Sequence, residues 1–214
     1  MTPDSRLAGN FKISELTGLV LAGGRSSRFG RDKSRLQLDG VPLARRVADA
    51  LAPCCAGILL SSGHPLASAG EGWTAVPDNF PDAGPLAGLE AGLARAGTPH
   101  LLAAPCDMPL LTTDALRALL SRARPGEITL AGDGANRFPT LGVYPRSVQP
   151  ALAEFLRGGG RKAWDFLDAA PVPWTVVHLP ERAGELRNLN TPADWEAILH
   201  HKGTKDTKGK NFER

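Results

Sequence analysis

Cysteine is scarce in this chain. Cys54, Cys55 and Cys106 form an odd set with no C-x-x-C pair, which excludes a disulfide framework or a zinc knuckle and points to a reducing cytoplasm. Long apolar runs are missing too, since none approaches the roughly 20 residues that cross a bilayer, so no membrane partner is expected. The opening MTPDSRLAGNFKISEL lacks a basic region followed by an apolar core, so no secretory signal is expected. The five histidines show no metal-ligand spacing, and none is placed by pattern to activate Cys106 as a nucleophile. Cys106 therefore reads as a small residue at a strand end.

Charge of one sign is also lacking outside one short segment. Residues 202–214, KGTKDTKGKNFER, carry five cations and two anions and account for the whole net charge of +3. A protein that wraps nucleic acid needs its cations on the folded body, so no nucleic-acid partner is expected. The remaining composition, 42% hydrophobic and 22% charged over 214 residues, is that of an ordinary globular chain. The expected organisation is a flexible N-terminal extension over 1–16, a single domain over 17–201 and a disordered basic tail over 202–214.

Short apolar runs alternate with helical patterns. Strands are expected at Gly18–Leu21, Gly57–Leu60, Thr74–Val76, His100–Ala104, Glu127–Ala131, Leu141–Tyr144 and Thr175–His178. Leu43, Val47 and Leu51 share one helical face after Pro42, as do Leu86, Leu89 and Leu93 after Pro85. Leu116, Leu119 and Leu120 follow a Thr112–Asp114 helix start, and Thr191 with Asp194 opens a last helix from Ala193 to about His200. Strands separated by helices of this length imply parallel β-α-β crossovers in an open three-layer sheet. Ligands of such sheets lie beyond the carboxyl ends of the strands. The chemically unusual stretches AGGRSSRFGRDK, SSGH, PDNFPDAGP and PCDMP all fall there.

The first of these stretches leaves a buried strand through Gly23-Gly24, where the absent Cβ atoms let backbone approach a ligand. Positions 21–35 hold five cations and one anion, a balance that suits polyphosphate. It is not a P-loop, because Arg31 and Asp32 stand between Gly30 and Lys33, and no G-x-G-x-x-G follows the strand. Asp107, between Pro105 and Pro109, lies at a strand's carboxyl end, where one carboxylate suits a Mg²⁺ bridging substrate phosphates. An aspartate in such a turn also serves as a cap, and the pattern alone leaves both roles open. Asp78 is a second candidate. The Gly158–Gly160 run reads either as a mobile loop or as a helix C-cap.

Taken in order, LAGGRSSRFGRDKSRLQLDGVPL, PDNFPDAGPLAGLEAGL, PCDMPLL, NRFPTLGVYP and NLNTPADW resemble the molybdenum cofactor guanylyltransferase family from about Thr17 to about His200. The resemblance implies a Rossmann-like three-layer α/β/α sandwich of nucleotidyltransferase type with a mostly parallel open sheet. It implies transfer of GMP from GTP to molybdenum-bearing molybdopterin, with Mg²⁺ as cofactor and Mn²⁺ as its substitute. Molybdenum-insertion proteins and recipient molybdoenzymes are the implied partners. Gly23-Gly24 and GPLAGL are the guanylyltransferase form, where cytidylyltransferase relatives resemble L-A-A-G.

Carried over residue by residue, the resemblance implies GTP contacts from Leu21, Ala22, Gly23, Gly24, Lys33, Ser61, Asp78 and Asp107. It gives catalytic roles to Asp107, Lys33 and Arg28, and the metal to Asp107. Ser61 stands where the family often has Asn, and Asn188 and Asn190 match its late Asn-x-Asn. Arg137, Arg161 and Lys162 are further candidates for the pterin side, along with Asn188 and Asn190. Alternatives are a nucleotidyltransferase using CTP or a sugar phosphate, a carrier that performs no chemistry, and a regulatory GTP switch, which the missing P-loop disfavours.

Overall fold

A computed structural model describes residues 7–22, 36–61, 72–191, 193–196 and 198. In chain order the strands are β1 (Leu7–Ala8), β2 (Phe11–Lys12), β3 (Leu16–Leu21), β4 (Gln37–Leu38), β5 (Val41–Pro42), β6 (Gly57–Ser61), β7 (Trp73–Val76), β8 (His100–Pro105), β9 (Ile128–Gly132), β10 (Arg137–Pro145) and β11 (Trp174–His178). The helices are α1 (Leu43–Leu51), α2 (Pro85–Arg95), α3 (Thr113–Arg122), α4 (Gln149–Arg157) and α5 (Ala163–Asp168). Seven strands form one sheet in the order β11-β9-β10-β8-β3-β6-β7. Its pairings are parallel except those that β10 makes with β8 and β9.

The central strand β3 is buried at all six residues. A strand covered on both faces reads as a continuous apolar run, because neither face meets water. Alternate side chains feed two cores. Leu16 and Val20 of β3 join Leu102 and Ala104 of β8 on the face that carries α1 and α3. Leu19 and Leu21 join Leu101 and Ala103 on the face that carries α2, α4 and α5. The expected three-layer sandwich is therefore present.

All seven expected strands form, within one to four residues at their ends. Three features differ from the sequence reading. First, β10 is antiparallel and begins at Arg137 rather than Leu141. The link from β9 is the four-residue turn 133–136, too short for a crossover. Register slips between Phe138 and Gly142, around Pro139, so the alternation that marks a strand is broken there. Second, α4 and α5 were not expected. The Gly158–Gly160 run between them is the helix C-cap, with Gly158 N–H bonded to Glu154 O and Gly159 at φ +88°. Third, the expected flexible extension over 1–16 is corrected from residue 7 onward. Strands β1 and β2 pair, Phe11 is fully buried, and Asn10 Nδ2 donates to Ser121 O and Ala123 O. Burying Phe11 against the core outweighs the entropy of ordering a short hairpin.

Candidate active site

The carboxyl ends of β8, β3, β6 and β7 lie side by side. Leu21 pairs with Ser61 on one flank and with Pro105 on the other. Pairing continues past the strands: Ala22 N–H donates to Ser61 O (2.7 Å) and Cys106 N–H to Leu21 O (3.0 Å). The chain entering the glycine-rich stretch thus runs between the two segments that carry aspartates. Leu21 and Ala22 are buried, and these backbone bonds hold them in the sheet.

Asp78, half-buried just past β7, accepts a 2.6 Å hydrogen bond from Ser61 Oγ. Ser61 is buried, and its hydroxyl hydrogen goes to this carboxylate. Room for it comes from Gly88 on α2, where an added Cβ would lie 2.4 Å from Ser61 Oγ and 2.9 Å from Leu21 Cδ2. The loop from β7 into α2 turns through Asp82 (φ 63°) and Gly84 (φ 69°), left-handed conformations that favour glycine.

Asp107 is half-buried beyond β8. Its carbonyl accepts Leu189 N–H at 2.7 Å, which fastens the Asn188–Asn190 motif beside it. Leu189 is fully buried with Leu38, Leu43 and Ile198. Glu185 braces the same segment, accepting from Thr112 Oγ1 at the start of α3 and pairing with Arg182 at 3.0 Å. Asp194 accepts the backbone N–H groups of Asn190 (2.9 Å) and Thr191 (2.7 Å), while its own N–H donates to Thr191 Oγ1 (3.1 Å). This reciprocal capping box opens the expected last helix, which is seen at 193–196 and 198. The Asn190 N–H bond, with the Thr191 hydroxyl, holds the Asp194 carboxyl below its ordinary range. Asn188 Oδ1 is buried and has no hydrogen-bond partner among the described residues. Such an acceptor is costly to leave unmade, and a bound donor satisfies it.

The cationic candidates divide. Arg137 starts β10 at the same sheet edge, with its guanidinium carbon 4.6 Å from the Trp164 ring centroid. Arg161 is exposed and donates through Nη1 to Leu156 O (3.1 Å) and Gly160 O (2.7 Å) at the end of α4. Lys162 is exposed at the N-cap of α5. Gly23, Gly24, Arg28 and Lys33 lie outside the described residues. Among the described residues no three His, Cys, Asp or Glu side chains gather into a metal cluster.

Sequence reasoning missed Asn79 and Glu90. Asn79 Nδ2 donates to Glu90 Oε2 (3.0 Å), and Gln149 Nε2 donates to Glu90 Oε1 (2.6 Å). The available signal was an acid sharing the apolar face of Leu86 and Leu93 in PLAGLEAGL.

Fold and edge together define an α/β enzyme of the nucleotidyltransferase class. The MobA-like NTP transferase domain matches residues 18–172, and the chain belongs to that family. It is 37% identical over 192 residues to a molybdenum cofactor guanylyltransferase of Serratia proteamaculans, covering 88% of this chain and 96% of that one. It is 36% identical over 187 residues to the enzyme of that name from Yersinia pseudotuberculosis, covering 85% and 95%. The fold resembles the crystal structure of molybdopterin-guanine dinucleotide biosynthesis protein A from Archaeoglobus fulgidus, with a TM-score of 0.73 at 21% identity over 88% of this chain and 99% of that one.

Proposed function

We propose that the chain transfers GMP from GTP to the terminal phosphate of molybdenum-bearing molybdopterin, forming the guanine dinucleotide cofactor and pyrophosphate. A phosphate oxygen of the pterin bonds to the α-phosphorus of GTP. The bond from that phosphorus to the bridging oxygen breaks, and its electron pair leaves with pyrophosphate. The attacking phosphate is already ionised near neutral pH, so no general base is needed.

The observation that carries this reading is the position of Leu21, paired on one side to Ser61 beneath Asp78 and on the other to Pro105 ahead of Asp107. On it, Leu21 and Ala22 with Gly23 and Gly24 receive the base and ribose. Asp78 holds the nucleoside, while Lys33 and Arg28 oppose the phosphate charge. Asp107, partly exposed beyond β8, would hold a Mg²⁺, with Mn²⁺ as the substitute, because such sites need only one or two protein carboxylates. When bound there, such an ion would offset the charge on the leaving pyrophosphate. Asn188, with its buried carbonyl unpartnered among the described residues, and Asn190 face the second substrate, and Arg137 and Lys162 add positive charge on that side. Holding both anions in line supplies much of the remaining acceleration.

The catalytic unit on this reading lies within 17–201, so a chain truncated after His201 turns over normally. The reaction belongs to the cytoplasm, where free thiols such as Cys54 and Cys55 persist. Its substrate arrives from molybdenum-insertion proteins, and its product goes to recipient molybdoenzymes. Among the described residues no helix is long and apolar enough to cross a membrane. The test is incubation with each of the four NTPs, Mg²⁺ and molybdopterin. Dinucleotide and pyrophosphate from GTP alone are expected; product from CTP, or GTP bound without pyrophosphate release, overturns the proposal.

A further inference from the structure

Four polar side chains are buried among the described residues, and Glu90 is the one acid in that set, 2% exposed in the middle of α2. Its place on the helix continues the apolar stripe of Leu86 and Leu93, where a leucine would pack without desolvating a carboxyl group. Among the described residues it has no ion-pair partner; its two oxygens accept from the neutral amides of Asn79 and Gln149. Apolar side chains of similar size often replace buried charged groups at no cost in stability, so stability alone does not account for an acid here.

We propose that Glu90 is a positioning residue for the nucleotide site, acting through Asn79 on Asp78. The inference rests on the reading of Asp78 as a nucleotide contact. Asp78 is steered from two directions. Ser61 holds its carboxylate from the β6 side. Glu90 holds the next residue, Asn79, and Asn79 ties the loop ahead of α2 down onto the helix. That loop needs a tether, because it passes through two left-handed residues before α2 begins. Gln149, at the first turn of α4, anchors Glu90 from behind, so the loop is referenced to two helices of the same layer.

Amide and carboxylate have matched shapes and opposite hydrogen-bonding roles, so they can be exchanged. Asn79→Asp sets a carboxylate against a carboxylate. Adding Glu90→Gln supplies an amide that donates to the introduced carboxylate and keeps an acceptor for Gln149, at the wild-type net charge. GTP binding is measured by calorimetry and turnover by pyrophosphate release, with Tm followed in parallel. The expected result is a rise of at least about tenfold in Kd and KM for GTP in Asn79→Asp, with kcat within about twofold. The double variant returns Kd to within about threefold of wild type. A Tm that falls while Kd for GTP stays put assigns Glu90 to packing alone and overturns the inference, as does a double variant that fails to recover. If the wild-type chain transfers a different nucleotide, the functional reading falls, and the same loss and recovery are then sought with that nucleotide. A wild-type chain that binds no nucleotide overturns both.

Discussion

The hydroxyl of Ser61 donates to Asp78 Oδ1 at 2.6 Å, so the carboxylate beyond β7 is aimed by a buried side chain on the neighbouring strand. An asparagine at position 61, frequent in the family that the sequence resembles, is long enough to reach a ligand itself. The shorter serine instead bonds the Asp78 carboxylate, which on the proposed reading is the group that meets the nucleotide. Ser61→Ala removes that bond without creating a clash. It is expected to raise the KM for GTP by roughly five- to tenfold, and to cost about 1 kcal/mol of stability. Steady-state kinetics and urea unfolding read the two effects separately, and an unchanged KM would show that Asp78 needs no such aim.

The same relationship explains Gly88. Alanine there would be favoured by helix propensity by about 1 kcal/mol. Its Cβ would nevertheless sit 2.4 Å from Ser61 Oγ and 2.9 Å from Leu21 Cδ2, closer than real Cβ contacts come. Gly88→Ala is therefore expected to lower stability by about 1–2 kcal/mol and to displace the Ser61 hydroxyl from Asp78. Combining it with Ser61→Ala should recover part of the stability, measured by the urea midpoint, and none of the GTP affinity. Full recovery of affinity in the double variant would contradict the assigned role of Ser61.

Asp107→Ala is expected to abolish transfer, with residual pyrophosphate release at least about a thousandfold below wild type, since on the proposed reading both metal and phosphates lose their anchor. Lys33→Ala should weaken GTP binding and turnover together, by roughly ten- to a hundredfold. Near-normal kinetics in both variants at saturating Mg²⁺ would refute these roles.

Much of this architecture is legible from the residues. The β3 run LTGLVL is apolar because two helical layers cover it, and the same pattern in HLLAAP marks β8. Continuous burial leaves a continuous apolar signal, and prolines and glycines punctuate its ends. What escaped reading is where the signal is broken or non-local. Pro139 and the register slip hide the first half of β10, whose Tyr144 hydroxyl reaches back to Pro139 O across the irregularity. The places of Asp78 and Asp107 just after β7 and β8 were legible from the apolar runs before them. The partner of Ser61 was not, because 17 positions separate the two residues and only the β6–β7 pairing brings them together. Glu90 was visible as an acid on an apolar face, but its two amide partners are 11 and 59 positions away.

The capping box that ends the late motif carries a pH dependence. The Asp194 carboxylate accepts from Asn190 N–H, Thr191 N–H and the Thr191 hydroxyl, and these bonds hold its pKa below the ordinary 3.8. For a depressed carboxylate, the stabilisation is fully present above the ordinary value and disappears as pH falls through the lower, folded one. Asp194→Asn keeps the size but weakens the acceptor, and is expected to lower Tm at pH 7 by about 2 °C, the scale of a lost helix cap. The gap between the variant and wild type should stay constant from pH 7 to about 5, then close as the wild-type carboxylate protonates. Because the bonded amides belong to Asn190 and Thr191, the variant should also loosen the segment that lies beside Asp107 and raise the KM for molybdopterin more than that for GTP. A Tm difference that persists undiminished into strong acid would mean that the carboxylate charge plays no part in holding the motif.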